Sequence, residues 1–135
     1  MLKLKTYLVE DSQLIRENLS AALEELASVT VVGAAADEAG AIAWLNQHAQ
    51  DCDLVLIDLF LKQGSGMGVL AAVNGLPGKA KYVILSNYAT PYMRKQALDL
   101  GADQVFDKSR DITTLIDYCI ELAGGGAGGS LDGFE

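Results

Sequence analysis

The chain has 135 residues, half of them hydrophobic and 21% charged, and carries a formal net charge of −8. That is enough sequence for one domain with a real core and an ordinary globular balance. The acidity argues against sequence-independent binding to nucleic acid, which depends on Lys and Arg, and against an anionic membrane surface; it suits a protein that binds cations or meets basic patches on other proteins.

The opening, "MLKLKTYLVE", holds no long apolar signal core, and no stretch approaches a membrane span, so a cytoplasmic protein is expected. Leu4–Val9 is a short apolar run of strand length that leads into Glu10-Asp11. Leu14, Ile15, Leu19, Leu23 and Leu26 then keep helical spacing, with Asp11 or Ser12 suited to the N-cap. Val29–Ala35 reads as a second strand whose end offers no useful chemistry. In the helix after it, Ile42 and Leu45 keep helical spacing, Trp44 reads as packing and His48 as part of a solvated face.

Leu54–Asp58 is the third strand, apolar throughout until Asp58 closes it. A shorter helix follows, with Gly75 where it should stop. Tyr82–Ser86 is the fourth strand. Thr90 before Pro91 looks like an N-cap with proline at the first helical position, and Gly101 ends that helix. Gln104–Asp107 is the fifth strand, with Lys108 just past it. Ile112, Leu115, Ile116, Cys119 and Ile120 then give the clearest helical pattern of the chain. Cys52 and Cys119 lack metal-ligand spacing and read as buried free thiols. Residues 1–123 are the expected domain. The glycine-rich segment from Gly124, "GGGAGGSLDGFE", is expected to be a disordered tail; the sharper reading is a linker or a docking tail ending in Phe134.

Five βα units in succession imply an α/β fold, a parallel sheet covered on both faces. Ligands of such sheets bind beyond the carboxyl ends of the strands. Glu10, Asp11, Asp58, Ser86 and Lys108 all fall on that edge. Two carboxylates about 4 Å apart repel by roughly 4 kcal/mol at an effective dielectric of 20. Lys108 offsets part of this, and a divalent cation with few protein ligands, Mg²⁺, would offset the rest. Without a metal, one carboxylate should have a raised pKa. An Asp, a hydroxyl, a Lys and Mg²⁺ together suit formation of an aspartyl phosphate. Asp58 would take the phosphoryl group, with Lys108 and Ser86 meeting its oxygens.

These residues, in this order within a five-fold βα repeat, resemble the receiver domain of bacterial two-component response regulators over about residues 4 to 123. The resemblance implies a single-domain, flavodoxin-like (βα)5 fold with strand order 2-1-3-4-5. It implies Asp58 as phosphoacceptor, and a Mg²⁺ site of Asp11, Asp58, Glu10 through water and the backbone carbonyl of Phe60. Ser86 and Lys108 would sense the phosphoryl group, and Phe106 would be a switching aromatic. The donor would be a sensor histidine kinase or a His phosphotransfer protein. The target would be an effector protein or an output domain absent from the chain, reached through the face of helix four, strand five and helix five, where Tyr92, Arg94, Lys95, Gln96 and Asp99 are candidate contacts. Homodimerisation is left open, as is whether the receiver stands alone or comes from a longer regulator. No conventional enzyme activity is expected beyond gain and loss of the Asp58 phosphoryl group.

Asn87, Ser109 and the loop "KQGSGMG" depart from the family pattern, the last two by lacking a frequent Pro. Phe60 and Tyr88 flank the expected attack path and would slow hydrolysis. Blander roles exist for each residue: a strand-end cap for Asp58, a helix cap for Glu10-Asp11, a surface lysine for Lys108, a loop serine for Ser86, a core aromatic for Phe106. Three other classes compete. A phosphorylation-independent pseudo-receiver would bind partners without modification. A haloacid-dehalogenase-like phosphatase wants a second Asp where Phe60 stands. A nucleotide or flavin domain wants a glycine-rich loop where "EDSQ" stands.

Overall fold

The computed structural model describes residues 3–87 and 89–124; Tyr88 and the tail beyond Gly124, Phe134 included, lie outside them. The element order is β1 (Leu4–Val9), α1 (Gln13–Leu26), β2 (Val29–Ala35), α2 (Glu38–His48), β3 (Leu54–Asp58), α3 (Gly66–Val73), β4 (Lys81–Ser86), α4 (Pro91–Asp99), β5 (Gln104–Asp107) and α5 (Ile112–Ala123). All four strand pairings are parallel, and the sheet order is β2-β1-β3-β4-β5. The flavodoxin-like arrangement expected from the sequence is therefore the one observed. β4 begins one residue earlier than its apolar pattern suggests, at exposed Lys81, whose amide donates to Asp53 O (3.1 Å).

Side-chain alternation along the strands sends neighbours into two separate cores. Tyr7, Val55, Ile57, Ile84 and Val105 pack with Leu45, Val69, Leu70 and Ala97, under α2, α3 and α4. Leu8, Leu54, Leu56, Val83 and Phe106 pack with Leu23, Leu115 and Cys119, under α1 and α5. Every residue of β3 is buried, as a central parallel strand requires. Both cysteines are buried and unbridged.

Capping follows the sequence signals. Thr90 Oγ1 accepts from Met93 N (3.2 Å) with Pro91 opening α4, and Ser12, rather than Asp11, caps α1 by accepting from Ile15 N (3.2 Å). Gly101 has φ +107°, a left-handed geometry that ends α4 at little steric cost, and Gly75 does the same after α3 with φ +91°. The N-terminal apolar residues of α1 are not core: Leu14 and Ile15 are exposed. Trp44 stacks on Tyr7, with ring centroids 4.0 Å apart. His48 keeps a partly solvated side chain, tilts against Trp44 at 4.7 Å and lies 3.6 Å from Asp51.

The outer strand β2 carries an irregularity. Thr6 pairs with Val31 and Tyr7 with Gly33, so Val32 is an extra residue in the ladder. The amide of Val31 donates to Glu24 Oε2 of α1 (3.0 Å).

Candidate functional site

Four strand ends bring the site residues together. Asp58 is the last residue of β3 and Ser86 the last of β4; Glu10 follows β1 and Lys108 follows β5. Main-chain bonds fix these ends against their neighbours: Glu10 N donates to Ala35 O (3.0 Å), and Lys108 N to Ser86 O (2.9 Å). One oxygen from each of Glu10, Asp11 and Asp58 lies within 4.8 Å of the other two. Glu10 and Asp58 are buried (3% and 9% exposed), Ser86 is fully buried, and Asp11 is half-buried at the mouth.

Lys108 Nζ sits between the two buried carboxylates, 2.6 Å from Glu10 Oε1 and 3.2 Å from Asp58 Oδ2. The shorter contact goes to Glu10, so the lysine is tethered across the pocket rather than committed to Asp58. Burial pushes the Asp58 carboxyl up to about 6; Lys108 pulls against that rise and the Glu10 charge adds to it. Asp58 is thus the raised carboxylate that a metal-free acidic cluster demands. Burial acts to lower the Lys108 pKa, but the hydrogen bond to Glu10 and the charges of Asp58 and Glu10 outweigh it, and the ammonium is held charged.

Three of the four remaining oxygens have main-chain donors. Asp11 Oδ2 accepts from Lys62 N (2.8 Å), Glu10 Oε2 from Ser12 N (3.1 Å), and Asp58 Oδ1 from Phe60 N at a long 3.4 Å. A proline at position 62 would have no N–H to give Asp11. Three carboxylates against one ammonium leave a formal charge of −2 in the cluster. Few hard oxygen donors, two buried and one reaching toward water, fit Mg²⁺. The residues present therefore suit the ion that the sequence implied.

Other predicted residues fall differently. Phe106 is buried on the α1/α5 side, its ring 5.8 Å from that of Tyr118, while Val105 faces α4; its surroundings are those of a core aromatic. Phe60 is 55% exposed beside the pocket, and Asn87 is also exposed. Ser109 closes its turn by donating both N–H and hydroxyl to Asp107 Oδ1, which holds Lys108 between two pinned neighbours.

Two arginines, Arg16 and the candidate contact Arg94, have partners that the sequence patterns do not indicate. Arg16 Nη1 donates to Glu10 O (2.6 Å). Arg94 donates to Ala89 O (Nε, 3.2 Å) and Val105 O (Nη1, 2.9 Å), and its Nη2 lies 3.7 Å from Asp111 Oδ2. Their targets are mostly main-chain carbonyls, which no residue type advertises.

This fold with a lysine-bridged acidic cluster at its strand ends defines a class: the chain belongs to the response regulator receiver domains, whose family profile matches residues 6–119. Receiver domains are signalling modules of two-component systems that bind Mg²⁺ in an acidic pocket; in this chain Glu10, Asp11 and Asp58 form an acidic cluster. Among curated proteins, the chain is 29% identical over 123 residues to a probable transcriptional regulatory protein NarL of Mycobacterium tuberculosis, covering 91% of this chain and 56% of that protein. The chain thus spans about half the length of the curated relatives it matches. The signal receiver domain of the putative response regulator NarL from the same organism superimposes with a TM-score of 0.79 at 29% identity, over 93% of this chain and 99% of that one. A CheX–CheY complex with BeF3 and Mg²⁺ from Borrelia burgdorferi matches with a TM-score of 0.80 at 18% identity, over 90% of each chain, a likeness of fold. Among the described residues no helix is long and apolar enough to cross a membrane.

Proposed function

We propose that Asp58 accepts a phosphoryl group from a sensor histidine kinase or a His phosphotransfer protein in the cytoplasm, and that the resulting charge changes which protein surface the domain presents. The observation that carries this reading is the cluster itself: a buried Asp58 at the end of the central strand, bridged to Glu10 by Lys108 and adjoined by Asp11. Glu10, Asp11, Asp58 and the Phe60 carbonyl would hold Mg²⁺, which when bound neutralises charge on the phosphoryl oxygens and favours in-line approach. An Asp58 oxygen forms the bond to phosphorus as the P–N bond of the donor phosphohistidine breaks. Lys108 supplies a positive partner for a phosphoryl oxygen, and the Ser86 hydroxyl donates to another.

Phosphorylation adds about −1.5 to −2 charges at pH 7. Lys108 and Ser86 would be drawn toward that charge, and both lead into the loops before α5 and α4. Arg94 already bonds the start of the α4 loop, β5 and the α5 cap residue Asp111, which supports the α4–β5–α5 face as the readout surface. Tyr92 stands 70% exposed on it. Its partner would be an effector protein or an output domain. A swing from mostly inactive to mostly active requires a bias of about 5 kcal/mol between the two states.

The test is intact mass after incubation with Mg²⁺ and acetyl phosphate. A single phosphoryl gain, lost with EDTA and in Asp58→Asn, is expected. An unmodified chain would favour partner binding without phosphorylation.

A further inference from the structure

The β3–α3 loop forms one wall of the pocket, and two glycines of this stretch, Gly64 and Gly68, have a common cause. Glu38, the first residue of α2, makes two bonds to the loop's outer limb: its N–H donates to Gln63 O (3.1 Å) and its Oε1 accepts from Ser65 N (2.8 Å). A Cβ on Gly64 or on Gly68 would collide with the Glu38 side chain, and Gly64 also has φ +88°. The two glycines make the slot into which the carboxylate fits. Ser65 is the N-cap of α3, accepting from Gly68 N (3.0 Å), so the Glu38 anion also sits near the positive end of that helix.

The inner limb of the same loop carries the site. Ser65 pairs with Phe60 in an antiparallel bridge, and Gly66 N donates to Leu59 O (2.9 Å). Phe60 N then reaches Asp58 (3.4 Å) and Lys62 N reaches Asp11 (2.8 Å). Moving Ser65 would move Phe60, its bridge partner, and with it the carbonyl expected to face the metal.

We propose that Glu38 is a positioning residue for the acidic site: wedged between Gly64 and Gly68 and bonded to Ser65, it sets the loop shape that carries the main chain of Phe60 and Lys62 to Asp58 and Asp11. This rests on the Mg²⁺-assisted phosphoacceptor reading. Glu38 touches neither metal nor phosphorus, so its effect belongs to metal affinity and not to the chemistry once the metal is bound.

The experiment is Mg²⁺ titration of the full chain by isothermal calorimetry, with thermal midpoints in EDTA. Glu38→Ala should weaken Mg²⁺ binding about tenfold, as loss of a residue that orients ligands commonly does. Glu38→Gln, which keeps an acceptor for Ser65, should stay within about threefold. At saturating Mg²⁺, the acetyl phosphate labelling rate of both should return close to the wild-type rate, and amide exchange at Ser65 and Lys62 should speed up in Glu38→Ala. Leu45→Val, which loosens α2 packing away from the loop, should leave Mg²⁺ affinity unchanged. Wild-type affinity in Glu38→Ala, or an equal loss in Leu45→Val, overturns the proposal. Should Glu38→Ala not fold, Gly68→Ala, which drives the carboxylate from its slot, is judged by the same affinity and rate. A wild-type chain that binds no Mg²⁺ brings down the phosphoacceptor reading as well, whereas a wild-type chain that binds it with Glu38→Ala unaffected brings down the Glu38 role alone.

Discussion

Replacing Asp58 should make the metal-free protein more stable. The Asp58 carboxyl is held at about 6 in the folded chain against an ordinary 3.8. A raised carboxylate pKa means the folded state resists ionisation, so native stability falls as pH climbs from below 4 to above 6. At 1.36 kcal/mol per pKa unit, a gap of about two units costs about 3 kcal/mol at pH 7.5. Asp58→Asn removes the charge at nearly constant shape, and Lys108 keeps its closer partner, Glu10, at 2.6 Å. We expect Asp58→Asn to gain about 1–3 kcal/mol in EDTA at pH 7.5, a rise in Tm of roughly 4–10 °C for a domain of this size. At pH 4.5, where Asp58 is mostly protonated in the folded chain, the gain should be smaller by about 2 kcal/mol. Adding Mg²⁺ should narrow the gap at pH 7.5 by stabilising wild type, by about 2.7 kcal/mol at one hundred times the Kd. Thermal melts at the two pH values decide the matter. A variant that melts no higher than wild type at pH 7.5, or a gap that does not shrink in acid, would refute the electrostatic account.

Lys108→Met should destabilise the protein by about 3 kcal/mol in urea unfolding at pH 7.5 with EDTA, because it leaves both Glu10 and Asp58 without the cation that pairs with them. Phe60→Asn should speed loss of the phosphoryl group after the donor is removed, followed by intact mass, if the exposed Phe60 ring is to screen water from it; an unchanged rate sinks that role for Phe60. Cys52 and Cys119, pushed by burial to about 11 and about 12, should react with a disulfide reagent at pH 8 only as fast as the chain opens, and denaturant should release both thiols at once.

The fold was legible because its central strands are buried on both faces. Leu54, Val55, Leu56 and Ile57 form an uninterrupted apolar run, and their alternate members serve different cores, so no polar residue breaks the pattern. Asp58, Glu10 and Lys108 were legible because each closes or follows a strand, and a parallel sheet brings such ends to one edge. Glu38 was not, since an acidic residue opening a helix already has an ordinary purpose in the helix dipole. Its partner Ser65 lies 27 residues away and offers only a backbone amide. Phe106 illustrates strand parity: shifting by one residue along β5 exchanges the α4 side for the α5 side, and an aromatic is equally at home on either.

The extra residue at Val32 and the Glu24 carboxylate on Val31 bear on self-association. An incoming β-strand seeking to extend the sheet past β2 would find the Val31 amide already engaged and the hydrogen-bond spacing broken one residue later. Both features blunt that margin against amyloid-like or edge-to-edge growth.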